Sequence, residues 1–104
     1  MGFFSALFGR TDNSRLIEAI KAGAFLVDVR TAAEFSSGSV KGAVNIPLDR
    51  VASQLQKFAG KKAIVVFCRS GNRSSLAKTI LEQNGIQHVI NGGTAAKVNR
   101  IVNK

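Results

Sequence analysis

Apolar positions along this chain follow two alternating rhythms. Four short, mostly apolar runs read as strands: Ala24-Phe25-Leu26-Val27, Ala43-Val44-Asn45-Ile46, Ile64-Val65-Val66-Phe67 and Val89-Ile90. Between and around them, apolar residues return at helical spacing. These are Leu16, Ile17 and Ile20; Leu48, Val51, Leu55 and Phe58; Leu76, Ala77, Ile80 and Leu81; and Val98, Ile101 and Val102. The punctuation between elements agrees with this division. Asn13 or Ser14 can cap the first helix and Gly23 closes it, Pro47 stops the second strand, and Gly60 and Gly85 follow later helices. Thr31-Ala32-Ala33-Glu34 has the form of a capping box opening a short helix that Gly38 ends. Strands alternating with helices predict an α/β domain over residues 13–104, a three-layer α/β/α sandwich around a mainly parallel sheet. The unbroken run 64–67 suits a strand buried on both faces, and is the expected centre of that sheet.

Composition sets bounds on this picture. At 104 residues, 45% hydrophobic and 20% charged, the chain is expected to fold as a single domain that buries roughly two-thirds of its unfolded surface. A single cysteine excludes an intramolecular disulfide and a multi-cysteine zinc site, and it suits a reducing compartment, so the expected location is cytoplasmic. The net charge of +9 raises the question of nucleic acid. Yet the basic residues are scattered, Lys61-Lys62 apart, and the seven aromatics are all Phe, three of them in or beside core-like stretches. Stacking platforms are therefore not indicated, and no nucleic-acid partner is expected. The charge instead favours small anions or acidic partners. Residues 1–12 stand apart: Phe3, Phe4, Leu7 and Phe8 lie at helical spacing in a stretch too short to span a membrane. It reads as a flap packed on the domain in preference to an amphipathic turn touching a membrane surface through residues 1–8.

The chemistry concentrates after the central strand. Cys68 stands at its carboxyl end, followed by Arg69-Ser70-Gly71-Asn72-Arg73-Ser74 and then the helical spacing of Leu76 to Leu81. In open α/β sheets ligands bind at that edge, where a loop entering a helix aims backbone N–H groups and a partial positive charge at one point. The bland alternative is a small hydrophobe ending a core strand. Three features of the loop argue against it: Arg69 and Arg73 bracket the thiol, Gly71 lets the backbone curl, and apolar filler is missing. Cations and a helix N-terminus bring a cysteine pKa from about 8.5 into roughly 3.5–7.5, which makes a thiolate nucleophile available at neutral pH. Asp28, Arg30 and Glu34 are spaced so that Arg30 could bridge two carboxylates and brace the loop after the first strand. His88, the one histidine, reads as an exposed residue within the last strand.

Cys-Arg-Ser-Gly-Asn-Arg-Ser at 68–74 resembles the active loop of single-domain rhodanese sulfurtransferases. The likeness extends to Val27-Asp28-Val29-Arg30 with Glu34-Phe35, to Gly38 through Pro47, and to Asn91-Gly92-Gly93. The resemblance implies the rhodanese-like fold, with the 28–34 loop beside the catalytic one. It implies that the Cys68 thiolate takes the outer sulfur of a small anionic donor such as thiosulfate and passes it from a persulfide to cyanide, a thiol or a protein acceptor. Backbone N–H groups of 69–74 would stabilise thiolate and persulfide, and Arg69 or Arg73 would hold the donor's sulfonate. Neither metal nor organic cofactor is implied. Two other readings stay open: a non-catalytic interaction or sulfur-relay module of the same fold, and a phosphatase or arsenate reductase. The second is disfavoured because only residues 69–72 separate Cys68 from Arg73, one fewer than a phosphate loop needs. Ser39 and Thr94-Ala95-Ala96 depart from the family, which commonly has His and an aromatic residue at those places.

Overall fold

The computed structural model describes residues 13–104, so the expectations for residues 1–12 lie outside the described residues. Four strands, β1 (Phe25–Asp28), β2 (Val44–Asn45), β3 (Ile64–Cys68) and β4 (Val89–Thr94), form one sheet in the order β2-β1-β3-β4. Every pairing is parallel. The helices are α1 (residues 13–21), α2 (Ala32–Ser36), α3 (Leu48–Val51), α4 (Asn72–Gln83) and α5 (Ala95–Val102), with a 3-10 turn at Leu55–Lys57. The expected three-layer α/β architecture is the one observed.

β3 is buried at all five positions, as a strand covered on both faces must be. Its side chains alternate between two cores. Ile64, Val66 and Cys68 face Val51, Phe58, Ala77 and Leu81 of α3, the turn after it and α4. Val65 and Phe67 face Leu16 of α1 and Val98 of α5. That alternation places Cys68 on the α4 side of the sheet, at its carboxyl edge.

Three sequence expectations need correction. The apolar stripe from Leu48 to Phe58 is not one helix. α3 ends at Val51, and the Ser53 hydroxyl and N–H both bond to the Arg50 carbonyl, while Gln54 leaves helical geometry at φ −127°. Serine's capacity to satisfy a nearby carbonyl competes with the helical ladder here. Asn13 and Ser14 already lie inside α1. His88 is exposed as expected, yet it precedes β4 and turns at φ 62°, the left-handed region, instead of sitting within the strand.

β4 runs further than its two apolar residues announce. Val66 pairs with Asn91 but Phe67 pairs with Gly93, so Gly92 is the extra residue of a bulge. A Cβ at Gly92 would meet Val98 Cγ2 at 2.7 Å and Val65 Cγ1 at 2.9 Å, so only glycine lets α5 close against the sheet there. Thr94 caps α5 by accepting the Lys97 N–H at 3.0 Å. No helix among the described residues is long and apolar enough to cross a membrane.

Candidate active site

Gly71 makes the loop after β3 possible. It is the N-cap of α4 at φ 96°, a left-handed conformation open to glycine at no steric cost, and it lies against the Gly93 backbone. The curl brings the chain back over the thiol. Gly71 N–H donates to Cys68 Sγ at 3.0 Å and Ser74 N–H at 3.4 Å, with the Ser74 hydroxyl 3.5 Å from the sulfur. Ser74 is itself fully buried. Arg69, Ser70 and Asn72 are exposed on the outside of the loop, where Ser70 Oγ accepts the Asn72 N–H at 3.4 Å. Cys68 has 0% solvent exposure, so a thin shell of loop covers it.

Burial pushes the Cys68 thiol up. Hydrogen bonds from the Ser74 hydroxyl and from the N–H groups of Ser74, Ser70 and Gly71 more than offset this, and the thiol falls from 9.0 to about 7. The sequence pointed to two arginines together with a helix N-terminus and the loop's N–H groups. The structure gives the leading part to the N–H groups and the Ser74 hydroxyl, while Arg69 is exposed and Arg73 is paired with Glu34.

Arg73 makes a two-pronged pair with Glu34, Nη1 to Oε1 at 2.7 Å and Nη2 to Oε2 at 3.0 Å. The Arg73 guanidinium and then the Thr31 N–H hold the Glu34 carboxyl at about 2. Thr31 and Glu34 also complete the capping box of α2, so one carboxylate both starts α2 and anchors the loop's arginine. The expected trio of Asp28, Arg30 and Glu34 is therefore split. Arg30 serves Asp28, with Nε 3.0 Å from both carboxylate oxygens and Nη2 2.7 Å from Oδ2. The same Nη2 donates to Gly38 O at 2.7 Å, and Ser39 Oγ donates to Asp28 Oδ2 at 2.7 Å. Asp28 is completely buried, and these bonds tie the two ends of the α2 segment together.

One participant escaped the sequence reading. Asn91 Oδ1 accepts the Ser74 hydroxyl at 2.7 Å and the Gly93 N–H at 2.9 Å, while its Nδ2 donates to Gly71 O at 3.2 Å. Its signal was positional: two residues after Val89 on a strand, Asn91 must face the same side of the sheet as α4. Beside the loop, Val29, Pro47, Leu48, Ile80 and Arg73 line an open groove of about 490 Å³.

Comparison with known proteins agrees with this arrangement. The rhodanese-like domain family matches residues 12–97. A sulfurtransferase of Allochromatium vinosum is 36% identical over 73 residues, covering 68% of each chain. The thiosulfate sulfurtransferase PspE of Escherichia coli is 36% identical over 69 residues, 64% of this chain and 66% of the relative. The aligned region thus spans about two-thirds of these relatives. Among solved structures, a rhodanese with anions from E. coli superposes with a TM-score of 0.66 at 32% identity, covering 72% of this chain and 91% of the other. The human single-domain sulfurtransferase TSTD1 does so at 0.64 and 28% identity, covering 79% and 84%.

Proposed function

The chain belongs to the rhodanese-like domain family, and from that premise we propose that it is a thiosulfate-type sulfurtransferase working through a persulfide on Cys68. The observation that carries the reading is the set of donors converging on one sulfur. Gly71 N–H and Ser74 N–H donate to Sγ, the Ser74 hydroxyl stands 3.5 Å from it, and the thiol is held at about 7, so near neutral pH a large share is thiolate. A thiol with a pKa near the ambient pH also makes the best compromise between thiolate fraction and intrinsic nucleophilicity.

In the first half-reaction the Cys68 thiolate attacks the outer sulfur of thiosulfate. A new S–S bond forms at Sγ, the old bond to the sulfonate sulfur breaks, and sulfite leaves with the electron pair. In the second, cyanide or a thiolate attacks the outer sulfur of the persulfide, and Cys68 departs as thiolate. The N–H groups that stabilise the starting thiolate are in place for its return. Arg69, exposed at the loop's outer face, holds the sulfonate in this reading. Arg73, already paired with Glu34, fixes the loop. Ser70 and Asn72 form the exposed wall past which the donor reaches the sulfur, and with Cys68 fully buried this wall must shift to admit it. Asp28, Arg30 and Glu34 act as supports. A thiolate carrier of this kind fits a reducing compartment, the cytoplasm by this reading.

A second reading is favoured by the complete burial of Cys68: a docking or relay module of the same fold that keeps the cysteine without turnover. Intact mass separates the two. With one cysteine in the chain, excess thiosulfate should add one sulfur atom, cyanide should remove it as thiocyanate, and Cys68→Ser should do neither. A wild-type protein that stays unmodified overturns the sulfurtransferase reading.

A further inference from the structure

The Ser74 hydroxyl has one proton and two neighbours that could take it. Asn91 Oδ1 lies at 2.7 Å, a strong O–H···O distance, and Cys68 Sγ lies at 3.5 Å. Asn91 cannot be turned around to relieve the competition, because Oδ1 also receives the Gly93 N–H and Nδ2 is spent on the Gly71 carbonyl. A flipped amide would set N–H against N–H and oxygen against oxygen. With the proton on Asn91, a lone pair of Ser74 Oγ faces the sulfur. That arrangement accepts a thiol S–H and repels a thiolate. To stabilise a thiolate the hydroxyl must rotate towards Sγ and leave Asn91.

We propose that Asn91 is a positioning residue that competes with Cys68 for the Ser74 hydroxyl proton, and so sets how readily the sulfur ionises. The proposal rests on reading Cys68 as the sulfur nucleophile. The proton follows the catalytic cycle: it turns to Sγ while the sulfur is thiolate and returns to Asn91 once Sγ is bonded to a second sulfur. By competing for that donor, Asn91 keeps the thiolate from being overstabilised, and an overstabilised thiolate is a weaker nucleophile.

Charged groups stand on several sides of the thiol. Arg69 and Arg73 belong to its own loop and helix, Asp28 with Arg30 lies on the β1 side, Glu34 comes from α2, and Lys97 is the charge in the first turn of α5. Across the neutral range Glu34 stays ionised, its carboxyl held at about 2, and Arg30 and Arg73 stay protonated, each raised by its carboxylate partner.

The test is thiolate titration of the full chain by ultraviolet absorbance and by alkylation rate, unambiguous because the chain has one cysteine. Ser74→Ala should raise the Cys68 midpoint by about one pH unit, the equivalent of one charge-assisted hydrogen bond. Asn91→Ala should lower it, because the freed hydroxyl then serves the sulfur. In the Ser74→Ala background, Asn91→Ala should produce no such fall. If Asn91 merely tethers Gly71, its loss loosens the Gly71 N–H and the midpoint rises in both backgrounds, which overturns the proposal. Should Asn91→Ala fail to fold, Asn91→Asp retains the acceptor. Its rise in midpoint should then be larger with Ser74 present than in the Ser74→Ala background, and equal rises would be equally fatal. None of these measurements needs turnover, so failure of the sulfurtransferase reading shows in the mass assay and failure of this one in the titration.

Discussion

Replacing Arg30 by alanine tests how the site is braced. Asp28 is wholly buried, and Arg30, with 11% side-chain exposure, gives the Asp28 carboxylate three of its five hydrogen bonds through the guanidinium. Removing one partner of a buried pair costs about 3–5 kcal/mol, chiefly because the other charge is left uncompensated. Two bonds to Asp28 survive the substitution, the N–H of residue 30 at 2.9 Å and the Ser39 hydroxyl at 2.7 Å, so the lower end applies. A loss of about 3 kcal/mol is large against the roughly 5–15 kcal/mol that holds a domain together. In a chain of this size it should lower Tm by about 12 °C or more. Urea denaturation at neutral pH gives the free energy directly, and an unchanged slope would confirm that the denatured state is not responsible. Adding Asp28→Asn should recover part of the loss by removing the stranded charge. The loss should also reach the chemistry. Arg30 Nη2 ties Asp28 to the Gly38 carbonyl across α2, α2 carries Glu34, and Glu34 holds Arg73 beside the Cys68 loop. Sulfur uptake by Arg30→Ala should therefore slow although the residue does not touch Cys68. A cost below about 1 kcal/mol, the worth of an ordinary surface pair, would refute the reasoning, as would a double variant less stable than Arg30→Ala alone.

Two further outcomes follow from the same geometry. Gly92→Ala should cost about 1–3 kcal/mol through overpacking, since its methyl would press on Val98 and Val65 within 3 Å; a melting temperature equal to wild type would show that α5 yields freely. Arg73→Ala should lower both stability and sulfur uptake, and the stability gap should depend on pH. The Glu34 carboxyl is held below its ordinary 4.5 at about 2, so the pair stabilises fully above 4.5 and is lost as pH falls through about 2; melting curves whose gap does not narrow across that interval would contradict the assignment.

What the sequence disclosed was whatever depends on local pattern. The apolar run Ile64 to Phe67 could be little else than a central strand, and Thr31 with Glu34 wrote its capping box within four residues. The loop's curl was legible from Gly71. Pairings across space were not. Spacing along the chain offered Glu34 to Arg30, four residues away, but the fold gives it to Arg73, thirty-nine residues away. Asn91 sat in a turn-like Asn-Gly-Gly, and only because β4 continues through it does the alternation from Val89 carry its side chain to α4. The broken helix after Val51 depended on a serine hydroxyl choosing a carbonyl, a competition too finely balanced for periodicity to decide.

The division between hydrogen bonds and charges at this site has a consequence for how ions act on it. The groups that set the Cys68 thiol are backbone N–H donors and a buried hydroxyl, all within 3.5 Å of a sulfur that is itself fully buried. Salt screens such short, buried interactions little. Arg69 and the scattered cations that give the chain its +9 are, by contrast, subject to screening over about 8–10 Å at ordinary ionic strength. The two parts of the work are thereby separated. On the proposed reading, an anionic donor would be gathered by exposed charge, which salt weakens, and met by a nucleophile whose readiness is set inside the fold. Under this arrangement capture of the donor varies with the medium while the reactivity of Cys68 stays that of the loop Gly71, Ser74 and Asn91 hold in place.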